Sequence, residues 1–184
     1  AWPQGRRPMS LAWNAIRDSL LHSSRTLTFQ RRFDLMRQSC SPLAAFRDPA
    51  SLLDALHRQS GSPDRKNECL RALVGEAQRT GPQSDTALTV LLLALWPGLD
   101  CIRRRSLGWR PGSTSDITSE LLARATESLR TLDLGRMNRI AATVLRNMQR
   151  DMIRACRREA ARQCVISERL PDELPDERTI GGSR

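Results

Sequence analysis

The sequence predicts an all-α fold, a multi-helix bundle, and three observations carry that expectation. Leu, Ala and Arg dominate a chain of 184 residues in which Tyr is absent and aromatic residues make up only 4%; the abundant types are good helix formers and the scarce ones strand formers. Turn and cap residues divide the chain into blocks of helical length. Within the longer blocks the apolar residues recur every three or four positions instead of alternating.

Taken in order, Ser10 can cap a helix running to about His22, and in "RTLTFQRRFDLMRQ" Leu27, Phe33 and Leu35 are available for burial. Asp48-Pro49 has the form of a cap followed by proline at the first helical position, and Leu52, Leu53 and Leu56 follow it. Ser62-Pro63 repeats that start, with Leu70, Leu73, Val74 and Ala77 as the apolar face. Two similar starts do not make a repeat, and no internal period or low-complexity segment is present.

The next block, "SDTALTVLLLALWPGLDCIRRRSL", reads as a helix beginning near Ser84 that buries most of its circumference and is kinked where Pro97 removes a backbone donor. Its apolar stretch from Leu88 to Trp96 is interrupted by Thr89 and is about half the length that crosses a hydrocarbon core, so a core helix is expected, not a membrane anchor. Arg103, Arg104 and Arg105 make its exit cationic and lead into the turn-rich loop "GWRPGSTS"; a solvated end favourable to the helix dipole is the expected reading, and contact with a polyanion is the alternative.

Ser115 or Asp116 then caps "SDITSELLARATESLRTL", with Ile117, Leu121, Leu122, Ala125, Leu129 and Leu132 on one face and Asp116, Glu120 and Glu127 on the other, flanked by Arg124 and Arg130. A last helix is expected from near Asp133 to about Arg162. On a wheel, Leu134, Met137, Ile140, Ala141, Val144, Leu145, Met148 and Met152 fall on one side. Arg136, Arg139, Arg146, Arg150, Arg154 and Arg157 fall opposite, within roughly 80° and along about 30 Å. Residues 133–163 hold eight Arg against Asp133, Asp151 and Glu159, a net charge of +5 with no acid inside the stripe. Aligned guanidinium groups suit a run of phosphates, each contact releasing counterions; a solvated helix face is the plainer alternative.

Whole-chain composition points the same way. The basic residues are 29 Arg and a single Lys, Lys66, and the net charge of +10 favours nucleic acid or another acidic surface. The preference for Arg over Lys says less, since a GC-rich genome produces it. Cys40, Cys69, Cys101, Cys156 and Cys164 are scattered singly and only two histidines are present, so neither a zinc site nor a disulfide framework is suggested, and a reduced, cytoplasmic setting is expected. "AWPQGRRPMS" lacks the order of a signal peptide, and the missing initial Met predicts a trimmed start or a fragment. From Cys164 onward five acids outnumber three Arg, with two prolines and a Gly-rich end, which predicts a flexible acidic tail or linker.

In order and pattern, residues 84–162 resemble the helical second domain of sigma-70 type transcription factors. "TVLLLALWPGLDCIRRRSL" resembles its first conserved helix, "DITSELLARATESLRTLDL" its polymerase-docking helix, and "RMNRIAATVLRNMQRDMIRACRRE" its promoter-reading helix. More narrowly, the "LLLALWPGLD" block with helices before it resembles the sigma-like activators of gene transfer agent clusters in alphaproteobacteria. The resemblance implies a core of that domain type and binding to the RNA polymerase core through Asp116, Glu120, Arg124, Glu127 and Arg130. It also implies binding to double-stranded or partly melted promoter DNA, through Arg136, Arg139, Arg146, Arg150, Arg154 and Arg157. Two departures qualify it. The family captures flipped promoter bases with aromatic side chains, and none lies between Gly112 and Arg184, so unaided promoter melting is not expected. No helix-turn-helix follows Arg162, which leaves room for a second regulatory subunit.

Catalytic constellations are thin. His22 and His57 sit in different blocks without flanking ligand spacing, the glycines form neither a P-loop nor a dinucleotide-binding pattern, and Glu120 and Glu127 form no Glu-x-x-His pair. No enzyme and no cofactor are expected. The expected organisation is an N-terminal helical segment (1–80) packed on a sigma-like helical domain (81–163), followed by the acidic tail (164–184). The expected function is that of a sigma-like transcription regulator activating a specific gene cluster or modifying elongation. The alternative is a helical adaptor that binds an acidic protein without nucleic acid.

Overall fold

The computed structural model describes residues 10–109 and 114–169. These residues form seven α-helices: α1 (Ser10–Ser24), α2 (Leu27–Ser39), α3 (Pro49–His57), α4 (Pro63–Ala77), α5 (Pro82–Trp109), α6 (Thr114–Arg130) and α7 (Ile140–Arg169). Short 3-10 turns stand at Ser41–Leu43 and Leu134–Arg136, and no strand occurs among the described residues. The fold is all-α.

Local chemistry explains most of the starts. Thr26 caps α2 by accepting from the Phe29 amide. At α3 the Asp48 carboxylate accepts from the Ser51 amide at 2.7 Å while Ser51 Oγ accepts from the Asp48 amide at 3.3 Å, with Pro49 beginning the helix. At α4 the Ser62 hydroxyl accepts from the Arg65 amide and Pro63 begins the helix, without the return bond. α5 begins at Pro82, before the Ser84 expected from the sequence. Gly81, with φ +134°, turns the chain into Pro82, and the buried Ser84 hydroxyl donates to the Ala77 carbonyl at 2.8 Å, tying the end of α4 to the first turn of α5.

α5 is the hub and touches each of the other six helices. Its length and apolar composition would suffice for a membrane span, yet 61% of its most apolar window is buried inside the fold. Thr89 is accommodated there because its hydroxyl donates to the Asp85 carbonyl at 2.9 Å. Pro97 does not end the helix, which continues to Trp109. Its missing amide leaves the Leu93 carbonyl without a helical partner; one residue on, the Ala94 carbonyl accepts from His57 Nε2 at 3.1 Å. Gly98 follows because α7 crosses here: a Cβ at that position would lie 2.3 Å from Leu145 Cδ1.

A single buried cluster runs from Trp13 on α1 to Met152 on α7, with Phe33, Met36, Leu43, Leu52, Leu73, Leu91, Leu99, Ile117, Leu121, Leu129 and Ile140 fully enclosed. Several sequence expectations are corrected within it. Phe33 is buried, but Leu27 and Leu35 are 66% and 54% exposed on α2, whose inner face is supplied by Phe29, Phe33 and Met36. Arg103 is not part of a solvated end: it is 6% exposed, pairs with Asp100 at 3.1 Å and lies 5.2 Å from the centre of the Trp13 ring. Trp13 stacks on Trp96 with centroids 4.1 Å apart, so this guanidinium meets an aromatic face and a carboxylate in place of water. Arg104 also pairs with Asp100, whereas Arg105 is exposed. Residues 110–113 of the turn-rich loop, and residues 170–184 of the expected tail, lie outside the described residues.

The last helix is also shorter at its start than its periodicity predicts. Asp133 Oδ1 accepts from the Gly135 amide at 3.0 Å, bending the chain into the 3-10 turn, and Met137 is extended (φ −110°, ψ 119°) before α7 begins at Ile140. A short side-chain-to-backbone turn with glycine inside it competes with helix. At the other end α7 runs past Arg162 to Arg169.

Candidate nucleic-acid interface

α7 turns Ile140, Val144, Met148 and Met152 into the core, and Cys156 below them is buried as well. That inward face fixes what points outward. Arg146, Arg150, Arg154 and Arg157 are all exposed, within an arc of roughly 80° and over about 17 Å of helix. Arg158 and Arg162, also exposed, widen the basic surface toward the end of the helix. Arg154 pairs loosely with Asp151 at 3.6 Å. Among the described residues, Arg146, Arg150 and Arg157 enter no ion pair. Three guanidinium groups on one helix face therefore keep their fork of donors for an outside acceptor.

Arg136 and Arg139 do not continue this face as turns of the same helix, since both precede α7. Arg136 belongs to the 3-10 turn and pairs with Asp133 at 3.5 Å; Arg139 is exposed immediately before Ile140. The single straight stripe of six arginines becomes four on α7 and two on the connection that leads into it. Beside Arg139, a cavity of about 460 Å³ opens between the first turn of α7, Leu56, Lys66, Asn67 and Leu95.

The position of that connection is set by α4, which the sequence pattern does not single out. Asn67 Oδ1 accepts from the Ile140 amide at 2.9 Å and so caps α7 from another helix. The Arg71 guanidinium donates Nη1 to the Leu134 carbonyl and Nη2 to the Met137 carbonyl. Gln78, just past the end of α4, donates to the Leu129 and Leu132 carbonyls at 3.2 and 2.8 Å. The three side chains project within an arc of about 40°. The only sequence signal is that spacing of long polar side chains; their partners are backbone groups far along the chain and invisible to local pattern.

The acidic face of α6 is less open than its wheel suggests. Glu120 Oε1 accepts two hydrogen bonds from Arg124, at 3.1 and 2.8 Å, and both residues are half-buried. Arg130 reaches Asp85 at the start of α5, at 3.4 Å. Asp116 and Glu127 are exposed. Of the five positions expected to meet a polymerase, three are engaged within the protein and two face outward.

Elsewhere, His22 is exposed on α1 and His57 is held by the Ala94 carbonyl, on separate helices. Among the described residues no group of three or more His, Cys, Asp or Glu could hold a metal ion. Burial pushes the thiols of Cys40 and Cys69 upward from the ordinary thiol value. No family model matches the chain, and neither a curated protein nor a solved structure matches it.

Proposed function

We propose that the chain is a sigma-like transcription regulator that binds RNA polymerase and promoter DNA, activating transcription of a specific gene cluster or modifying elongation, without catalysis of its own. The observation that carries the DNA half of this reading is the exposed arginine face of α7, where Arg146, Arg150 and Arg157 have no acidic partner among the described residues. Aligned guanidinium groups on a rigid helix match a ladder of phosphates, and each contact releases condensed counterions. The polymerase half rests on the resemblance of residues 84–162 to the second domain of sigma-70 type factors and on the outward position of Asp116 and Glu127. A bacterial, nucleoid-associated location and a second regulatory subunit belong to the same reading.

The test is the double variant Arg146→Glu, Arg150→Glu. Both residues are exposed, so folding holds, while two favourable phosphate contacts become two repulsions and most DNA affinity is lost. Wild-type affinity falls steeply with salt. A folded double variant that binds DNA as the wild type does would overturn the reading.

A second reading is supported by a different observation. Leu27 and Leu35 stand exposed on α2 on either side of the exposed Arg31, a surface suited to an acidic protein with apolar residues. On that reading the chain is a helical adaptor, and no DNA binding is found at any salt concentration.

A further inference from the structure

We propose that Arg71 is a positioning residue for the basic surface: it fixes where Arg136 and Arg139 stand relative to the arginines of α7 without touching the nucleic acid itself. The inference rests on the DNA-binding reading and identifies what sets the geometry of that surface. Arg136 and Arg139 belong to the connection between α6 and α7, a stretch containing a 3-10 turn and an extended residue. Such a stretch has few backbone bonds of its own to hold its direction. Arg71 supplies the missing constraint, because its planar fork bonds the carbonyls of Leu134 and Met137 together, one on each terminal nitrogen. These carbonyls bracket Arg136, and Met137 lies two residues before Arg139. Asn67, one turn earlier on α4, holds the Ile140 amide on the far side of Arg139. Both basic residues are thus pinned from one helix, while Arg71, half-buried with its guanidinium occupied by two carbonyls, is not available to a phosphate.

Two substitutions separate position from charge. Arg71→Lys keeps the charge, but one ammonium nitrogen does not reproduce the fork that spans two carbonyls; Arg71→Ala removes both. Each variant is folded and compared with the wild type for duplex DNA affinity across a salt series, and amide hydrogen exchange is followed over residues 134–140. If Arg71 positions the connection, both variants exchange faster there. Their log–log salt slope becomes shallower by about one to two, and affinity at 0.1 M salt falls on the order of tenfold for each phosphate that the displaced arginines no longer neutralise. In an Arg136→Ala, Arg139→Ala background the same substitutions then change affinity no further.

A purely structural role would lower the thermal midpoint and leave the slope of the folded protein alone. Steep salt dependence in the wild type with unchanged slopes in both folded variants therefore overturns the proposal and leaves the DNA reading standing. Wild-type slope for Arg71→Lys with loss only for Arg71→Ala overturns it too, since charge and not the fork would then matter. A wild-type chain with no salt-dependent DNA binding overturns the DNA reading, and this proposal with it.

Discussion

At the scale of single residues, the side chains that decide most are those whose partners lie in another element. Trp13 is the clearest: it stacks on Trp96 and lies under Arg103, and with the partly buried Ile16, Leu20 and Leu21 it fastens α1 to the core. Gly98 is the converse, a residue whose missing side chain makes room. A methyl group there would meet both Cδ atoms of Leu145 at under 3.0 Å and its Cγ at 3.1 Å, so the Leu145 side chain must leave its place against α5. Gly98→Ala is expected to destabilise the fold by about 1–3 kcal/mol despite the better helix propensity of alanine, read as a lowered midpoint in urea. At Asp48, the backbone hydrogen bond from Ser51 holds the carboxyl below its ordinary value of 3.8. A depressed folded-state value stabilises the protein above the unfolded value, and that contribution disappears as pH falls through the folded one. Asp48→Ala should cost about 1 kcal/mol at neutral pH. Asp48→Asn, which still caps, should lose less stability than the wild type on acidification from about pH 6 to about pH 3; thermal midpoints at each pH check both outcomes.

At the scale of elements, α6 and α7 present opposite problems. On α7 the burial of Ile140, Val144, Met148 and Met152 leaves the arginines exposed, so amphipathicity alone places the surface. On α6 the wheel identifies the outward arc but not which charges remain available on it. Glu120 is engaged by Arg124, and Arg130 by Asp85, so reversal at Glu120 would disturb a helical pair worth a few tenths of a kcal/mol as well as any partner contact. Glu127, which is exposed, gives the cleaner test. Glu127→Lys is expected to lower co-purification with core polymerase while DNA affinity stays level or rises, since the added charge is positive. Association that survives this substitution favours the adaptor reading.

At the scale of the whole molecule, the arrangement follows from one helix that cannot be left uncovered. α5 buries Ala87, Val90, Leu91, Leu92, Leu93, Leu95, Trp96, Leu99 and Ile102, on more sides than one partner can cover, and all six other helices pack against it. The helices before residue 80 supply Trp13, Phe33, Met36, Leu43, Leu52, Leu73 and Val74 to the same cluster. Removing residues 1–80 should therefore expose the apolar sides of α5 and yield a fragment that aggregates, whereas the full chain unfolds in one cooperative transition. Calorimetry and size-exclusion chromatography measure the two outcomes. A monomeric, helical fragment of residues 81–184 would show that the N-terminal helices are dispensable to the core.

Local chemistry along the chain suffices to say where most of the helices lie, where α3 and α4 begin and which face of α7 is basic, because each depends on residues within a few positions of one another. Asp48 meets Ser51 three residues on, and the arginines from 146 to 157 share a face through helical periodicity alone. Packing settles the fate of groups whose local pattern permits two outcomes. Leu35 has the spacing of a core residue and is exposed because Phe29, Phe33 and Met36 already fill the inner face of α2. Arg103 has the charge of a surface residue and is buried because Asp100 and Trp13 receive it. The apolar spacing of residues 134–141 fits a continuous helix, and the helix is nevertheless broken. Its carbonyls at Leu134 and Met137 are taken by Arg71, 63 and 66 positions away, and partners at that separation exist only once the chain has folded.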